Sequence, residues 1–349
     1  MLREIIQKYI EEEKIPGGVI HVQRHKKILY RDSFGSFITR NNERQPVTFS
    51  TLFDIASLTK VVATLPAFLV LLERKQLSLK DPVQKYISQF RYSDINIEHL
   101  LYHNSGLPAD LSPPVQRDEN RKILEEILTV VPLFKPEKEV VYSDLGMILL
   151  GKIIEEVSGE VFDTFVAKEV LTPMGMHQTI FNPKGEIRNL IATTEKINDC
   201  FIQGVVHDEK AFLLNGVSGS AGLFSRLDDL VHYAQFWLNI SEQSVFDPVW
   251  LQNCHQNTFK HRGLGFEVWN GIDTEVTINS SWSRGSFGHT GFTGTSVWMD
   301  PKEELFVVLL TNAIHYGRDA PKKEFRHAIH KSVYDMYIKK GAYKNETMD

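Results

Sequence analysis

The sequence predicts an α/β fold of the α+β kind. One antiparallel β-sheet is flanked by terminal helices, and an all-helical lobe is inserted between its strands. Two observations predict it. Strand-like segments cluster near both ends of the 349-residue chain, and the stretch between them is mainly helical in its periodicity. A chain of this length can build two lobes with a substantial core. Residues 1–56 and 215–349 are assigned to the sheet lobe and 57–214 to the helical one. A cleft between two such lobes is a usual place for a small-molecule site.

The chain opens on LREIIQKYIEEEK, a charged amphipathic helix that Pro16-Gly17-Gly18 ends. VIHVQRHKKILYRDSFGSF then reads as two strands joined by a polar turn at Arg24–Lys27. Residues 57–75 read as an apolar helix. Further helices are INIEHLLY, ENRKILEEILTVV, the run Ser143–Val157 before the closing Gly159, and EVFDTFVAKEVL. Near the end, GLGFEVW, GTSVWMD and ELFVVLLTN are rich in β-branched and aromatic residues between glycine and Asp-Pro turns, which is the pattern of strands. A helix at about 320–339 closes the chain.

Composition excludes several function classes. A hydrophobic fraction of 42% and a charged fraction of 24% fit a soluble globular protein. The net charge of -5 and the pI near 6.2 give no basic face for nucleic acid. Arg24-His25-Lys26-Lys27 and Lys322-Lys323 read as solvated surfaces. The charged first helix lacks the apolar core of a signal peptide, so a cytoplasmic location is expected. VVATLPAFLVLL, residues 61–72, is shorter than the roughly 20 residues a bilayer needs and carries a proline, so a buried helix is expected. Cys200 and Cys254 have no metal or redox spacing and are expected to be free thiols. No metal and no cofactor is expected: there is no His-Glu-x-x-His, phosphate loop or dinucleotide fingerprint. His327 and His330 share a helical face and are expected on its exposed side. Gly216-Val217-Ser218-Gly219-Ser220 fails the Gly-x-Ser-x-Gly spacing of an α/β-hydrolase elbow.

Three short segments carry chemistry. Ser57 and Lys60 lie three residues apart at the start of the apolar helix, which puts hydroxyl and amine on one face. A serine hydroxyl needs a base to become a nucleophile, and a buried lysine can be one. The ordinary alternative is a capping serine and a lysine reaching for solvent. Tyr142-Ser143-Asp144 opens a helical run; Tyr142 can relay a proton, or Ser143 or Asp144 can simply cap the helix. Gly288-His289-Thr290-Gly291-Phe292-Thr293-Gly294 precedes a strand; it can pair with a substrate backbone, or be a plain glycine-rich turn.

In their order and placement the three segments resemble the motifs of the serine β-lactamase and penicillin-binding protein family, and most of all its class C, DD-peptidase and esterase branch. Ser57–Lys60 matches Ser-x-x-Lys, Tyr142–Asp144 matches Tyr-x-Asn in part, and His289–Gly291 matches His-Thr-Gly. HNSGLP at 103–108, Val206-His207-Asp208-Glu209, SGSAGLFSRLDDL at 218–230 and GHTGFTGTSVWMDP extend the likeness over nearly the whole chain. The resemblance implies a β-lactamase/transpeptidase-like fold and a serine hydrolase working through an acyl-enzyme on a D-peptide, a β-lactam or a small ester. It implies Ser57 as nucleophile, Lys60 and Tyr142 as proton-transfer partners, and the backbone N–H groups of Ser57 and Phe292 as the oxyanion hole. Asp144, His289, Thr290 and Gly291 are implied in substrate binding, with a small molecule or peptide as the substrate and no nucleic-acid partner.

Two positions depart from the family pattern: Asp144 stands where asparagine is usual, and His289 where many members have lysine. If the family geometry holds, Asp144 lies beside Lys60 and raises its proton affinity. It also cannot donate an amide hydrogen bond while ionised. His289 supplies less positive charge than lysine above about pH 6.5. Both changes point to poor β-lactam turnover and to esters or peptide-like substrates. A reading from another class is a binding or scaffold protein on the same fold that has lost turnover; the joint presence of Ser57, Lys60 and Tyr142 argues against it.

Overall fold

The structure, a computed structural model, describes residues 1–240, 245–272 and 281–339. Its main sheet has seven strands: β1 (Gly17–Arg24), β2 (Lys27–Ile38), β3 (Arg44–Pro46), β4 (Glu267–Val268), β5 (Phe287–Thr290), β6 (Ser296–Asp300) and β7 (Leu305–Thr311). They lie in the order β3-β2-β1-β7-β6-β5-β4, and each pair is antiparallel. The first and last strands meet at the centre, with Val19 opposite Leu310 and Val22 opposite Val307. The α+β architecture is therefore the predicted one, built by pairing the two ends of the chain.

Alternation along the strands divides the sheet into two apolar faces. Ile20, Val22, Val307 and Leu309 face the terminal helices α1 (Leu2–Glu11) and, at the far end of the chain, Lys322–Tyr334, meeting Leu2, Ile6, Phe325, Ile329 and Val333. Val19, Val308 and Leu310 face the other way, into a core shared with α2 (Leu65–Glu73), α3 (Asp144–Ser158) and α4 (Leu227–Trp237) through Phe68, Leu149 and Tyr233. The C-terminal helix is labelled α5 below. Both cysteines are free, Cys200 at the surface and Cys254 inside.

Several elements differ from expectation. The predicted helix 57–75 starts as a 3₁₀ turn at Ala56–Leu58, widens into a π turn over Lys60–Thr64, and becomes α-helical only at Leu65. Pro66 has no N–H with which to close an α turn on Val62, which is the local reason for the wide turn. With these turns included, Ala56–Glu73 is 18 residues, long and apolar enough to cross a membrane by length and composition; 89% of it is buried in the core. ENRKILEEILTVV keeps helix only at Ile123–Ile127, and GLGFEVW keeps strand only at Glu267–Val268, because Gly265 turns the chain at a φ of 73°.

His330 corrects the expectation of an exposed helical face. His327 is exposed, but His330 is 0% exposed and its Nε2 lies 3.1 Å from Ser296 Oγ. The reason is that α5 lies on the sheet, so one side of it is interior. Burial lowers His330 to about 3, and His255 and His315 to about 4 each. An unfolded histidine titrates near 6.5, so below that pH the unfolded chain binds protons that the folded chain refuses. Stability is whole above about pH 6.5 and declines as pH falls toward 4, by about 1.4 kcal/mol per unit for each such group. His330→Gln should therefore reduce the stability lost between pH 7.5 and pH 4.5 by roughly 2–3 kcal/mol in urea titrations. Equal losses in parent and variant would show that His330 takes up its proton without unfolding.

Candidate active site

Ser57 sits just after a short strand, Phe53–Asp54, which pairs with Leu223–Ser225. Between them Ala56 has a φ of 46°, a left-handed conformation that costs a non-glycine residue about 1 kcal/mol or more. Asp54 holds that turn: its Oδ1 accepts from the Ala56 N–H at 2.8 Å and its Oδ2 from the His207 N–H at 2.7 Å. The sharp turn delivers a half-buried Ser57 one helical turn ahead of Lys60. Ser57 caps no helix, and Lys60 does not reach for solvent.

Lys60 is 0% exposed. Its Nζ donates to Ser57 Oγ and to the Ser220 carbonyl, both at 2.8 Å, and is paired with Asp144 Oδ1 at 2.8 Å. It also stands 5.2 Å from the centre of the Tyr142 ring. Burial works against the ammonium form, but Asp144 and Tyr142 outweigh it and hold Lys60 above its usual value. The expected proximity of Asp144 and its effect on Lys60 are thus both present. Burial likewise opposes the Asp144 carboxylate, yet Lys60 and Lys210 bring it below its usual value.

Asp144 is the first residue of α3, where a negative charge meets the exposed N–H groups of the helix start. Ser143 is the cap: its Oγ accepts from the Gly146 N–H and donates to the Pro108 carbonyl. So the capping role and the site role coexist, one residue apart. Tyr142, just outside the helix, is ringed by groups. The His103 ring is 4.7 Å away, His289 is 5.7 Å away, and the Arg262 guanidinium stands 5.1 Å from the ring centre.

Both histidines are neutral at pH 7. His103 Nδ1 accepts from the Ser143 N–H at 3.1 Å, which leaves the proton on Nε2. His289 donates from Nδ1 to the Thr290 carbonyl at 2.8 Å. Burial, with Arg262 and Lys60 adding to it, keeps each well below an ordinary histidine. His289 therefore brings no charge to the site even at mildly acid pH. Arg262, 9% exposed, brings a fixed one; its Nε and Nη1 have no hydrogen-bond partner among the described residues.

Thr290 ends β5, and Gly291 begins the turn after it. A Cβ on Gly291 would stand 2.1 Å from Thr295 Oγ1 and 2.5 Å from the Ile55 carbonyl, so only glycine fits. The turn is bonded directly to the segment that carries Ser57: Thr293 Oγ1 donates to the Asp54 carbonyl at 2.7 Å and Thr295 Oγ1 to the Ile55 carbonyl at 3.2 Å. From α5, the buried Arg326 donates from Nη1 to the carbonyls of Gly291 at 2.9 Å and Thr295 at 3.2 Å. Phe292, 44% exposed, projects its ring at the rim, stacked on His207 with Lys322 Nζ 4.4 Å from its centre.

Ser57, Lys60, Tyr142, Asp144 and His289 are thus in one cluster, with Thr290, Gly291 and Phe292 on the adjoining strand end and turn. Sequence reasoning missed Arg262, Lys210, Arg326 and the structural use of His103. Only His103 had a signal, in the HNSGLP segment; the three cations lie in ordinary-looking surface patterns. Among the described residues no three His, Cys, Asp or Glu side chains converge to hold a metal ion.

Comparison with known proteins gives this cluster a family. A family model described as beta-lactamase matches residues 2–331. A protein of Escherichia coli O157:H7, provisionally named D-alanyl-D-alanine carboxypeptidase, is 32% identical over 350 residues, covering 88% of this chain and 81% of its own length. The N-acetylmuramyl-L-alanine amidase of Bacillus subtilis strain 168 is 31% identical over 346 residues, covering 86% and 78%. Among solved structures, EstCE1, a hydrolase with promiscuous acyltransferase activity, superposes with a TM-score of 0.75 at 21% identity, covering 95% of this chain and 97% of its own. With a match along nearly the whole chain, relatives above 30% identity and a shared fold, the protein belongs to the beta-lactamase family and is a serine hydrolase.

Proposed function

We propose that the protein cleaves an amide or ester bond of a peptide-like, carboxylate-bearing substrate through an acyl-enzyme on Ser57. The observation that carries this is the 2.8 Å contact between Lys60 Nζ and Ser57 Oγ inside a buried network of charges. Ser57 Oγ attacks the substrate carbonyl carbon, and its proton passes to the Lys60–Tyr142 pair. The N–H groups of Ser57 and Phe292 take the developing oxyanion, a kind of contact worth several kcal/mol in the transition state. Tyr142 returns the proton to the leaving group as the bond breaks. Water then enters, gives a proton to the same pair and releases the acid, restoring Ser57.

Charge supports the substrate class. Asp144 offers no amide donor, and neutral His289 offers no cation for the carboxylate of a β-lactam. Arg262 supplies a fixed positive charge beside Tyr142 instead. A flexible peptide carboxylate can adapt to a displaced cation, whereas a rigid bicyclic lactam cannot. The named activities of the two relatives, a carboxypeptidase and an amidase, point to amide cleavage as well. A second reading, ester hydrolysis or acyl transfer, is favoured by the likeness to EstCE1 and uses the same acyl-enzyme.

A fluorophosphonate or penicillin probe should label the parent on Ser57 and leave Ser57→Ala unlabelled; an adduct mapped by mass spectrometry to another residue would defeat the proposal. Tyr142→Phe should lower kcat by about 10²–10⁴-fold with the fold intact, as loss of a general acid–base group does. An unchanged rate removes Tyr142 from the mechanism. The parent should hydrolyse a p-nitrophenyl ester or a D-alanyl-D-alanine peptide well and a chromogenic cephalosporin poorly, and Asp144→Asn with His289→Lys should narrow the gap. Efficient cephalosporin turnover by the parent, improved by neither change, would overturn the electrostatic argument.

A further inference from the structure

Asp144 stands where the family pattern has a neutral amide, and a carboxylate there should hold Lys60 permanently as an ammonium ion. The structure contains a second buried amine that answers this. Lys210 follows the cap residue Asp208 on the short helix Glu209–Leu213, and its side chain runs inward, leaving the residue 4% exposed. Its Nζ lies 3.3 Å from Asp144 Oδ2, while Lys60 holds the opposite oxygen, Oδ1, at 2.8 Å. The same Nζ is 2.8 Å from Asp110 Oδ2 and 3.5 Å from Asp208 Oδ2.

We infer that Lys210 is a positioning residue of the reaction: by claiming one oxygen of Asp144, it weakens the hold of that carboxylate on Lys60 and sets the pH at which the Lys60–Tyr142 pair can accept the Ser57 proton. The inference rests on the proton-transfer reading given above. Around the pair, two ammonium groups, Lys60 and Lys210, face three carboxylates, Asp110, Asp144 and Asp208. Without Lys210, Asp144 keeps only Lys60, and Asp110 and Asp208 lose their ammonium partner. Other charged and titratable neighbours include Arg262, His103 and His289 around Tyr142, and Asp54 and Arg117, each of which interacts with Asp208. Both histidines are neutral, while burial raises the Asp54 and Asp208 carboxyls, so protonation of these two, not of the histidines, offsets part of the loss of Lys210. Removing Lys210 must stabilise the protonated form of the pair, whichever of its two members carries the proton.

The test is the acid limb of kcat/KM against pH on a p-nitrophenyl ester. Lys210→Met and Lys210→Gln should move that limb upward by roughly one pH unit, with the rate recovering at alkaline pH, since an opposite charge at this range shifts a neighbour by about that much. At pH 7 this reads as about a tenfold loss. Lys210→Arg keeps the charge and should leave the limb near its parent position. In an Asp144→Asn background the same Lys210→Gln change should move the limb less than in the parent, because only the direct repulsion between the two ammonium groups remains. That double variant loses one charge of each sign, which spares Asp144 but leaves Asp110 and Asp208 without their ammonium partner. A loosened structure would lower the rate at every pH and in both backgrounds. A limb present in the parent but unmoved in the neutral variants, or moved equally in the Asp144→Asn background, overturns the role of Lys210. A parent profile with no acid limb defeats the proton-transfer reading instead.

Discussion

The site depends on one constraint: an ammonium group has been taken fully out of water. Moving a lysine from solvent to a protein interior costs several kcal/mol unless its charge is paired and its protons are bonded. Lys60 meets that cost with Ser57 Oγ, the Ser220 carbonyl and Asp144, each at 2.8 Å. Those partners come from three separate parts of the chain. To bring Ser220 that close, the segment Ser218–Gly222 must press against the backbone of α3. Gly219 and Gly151 meet there with no room for a side chain; a Cβ on Gly219 would lie 2.2 Å from the Met147 carbonyl. The packing of α3 and the solvation of one lysine are the same requirement.

The sheet and the pairing of Ser57 with Lys60 were legible because each follows from short-range pattern. Val19–Val22 and Leu305–Thr311 are mainly apolar runs buried at every position, as strands covered on both faces must be, and Ser57 and Lys60 are one turn apart in any helical geometry. Elements that depend on distant partners were not legible. His330 reads as a surface histidine until Ser296 and the sheet lie beneath it. Arg262 and Lys210 read as solvated charges, because nothing within several residues of either shows that Tyr142 or Asp144 stands opposite. The π turn at Lys60–Thr64 was also unseen, although Pro66 is its local cause: periodicity registers the proline without saying how the turn before it relaxes.

The two departures from the family pattern each have a cation close by. Asp144 adds a negative charge and Lys210 stands 3.3 Å from it. His289 lacks the charge of a lysine, and Arg262 stands against the same Tyr142 ring. The balance of charge around Tyr142 is thus set in part by residues outside all three motifs. Motif identity alone is a poor guide to the electrostatics of such a site, since a pair of substitutions at distant positions can preserve the field while changing every local contact.

The turn Gly291–Thr295 is tied to Asp54 and Ile55 across 239 and 240 positions of sequence. The turn that faces Ser57 and Lys60 comes from the other end of the chain and is held against them by these two hydrogen bonds. A nascent or truncated chain therefore carries a serine and a lysine side by side with no opposite wall. The site is thus assembled from both ends of the chain, and a fragment that holds Ser57 without the turn does not contain it.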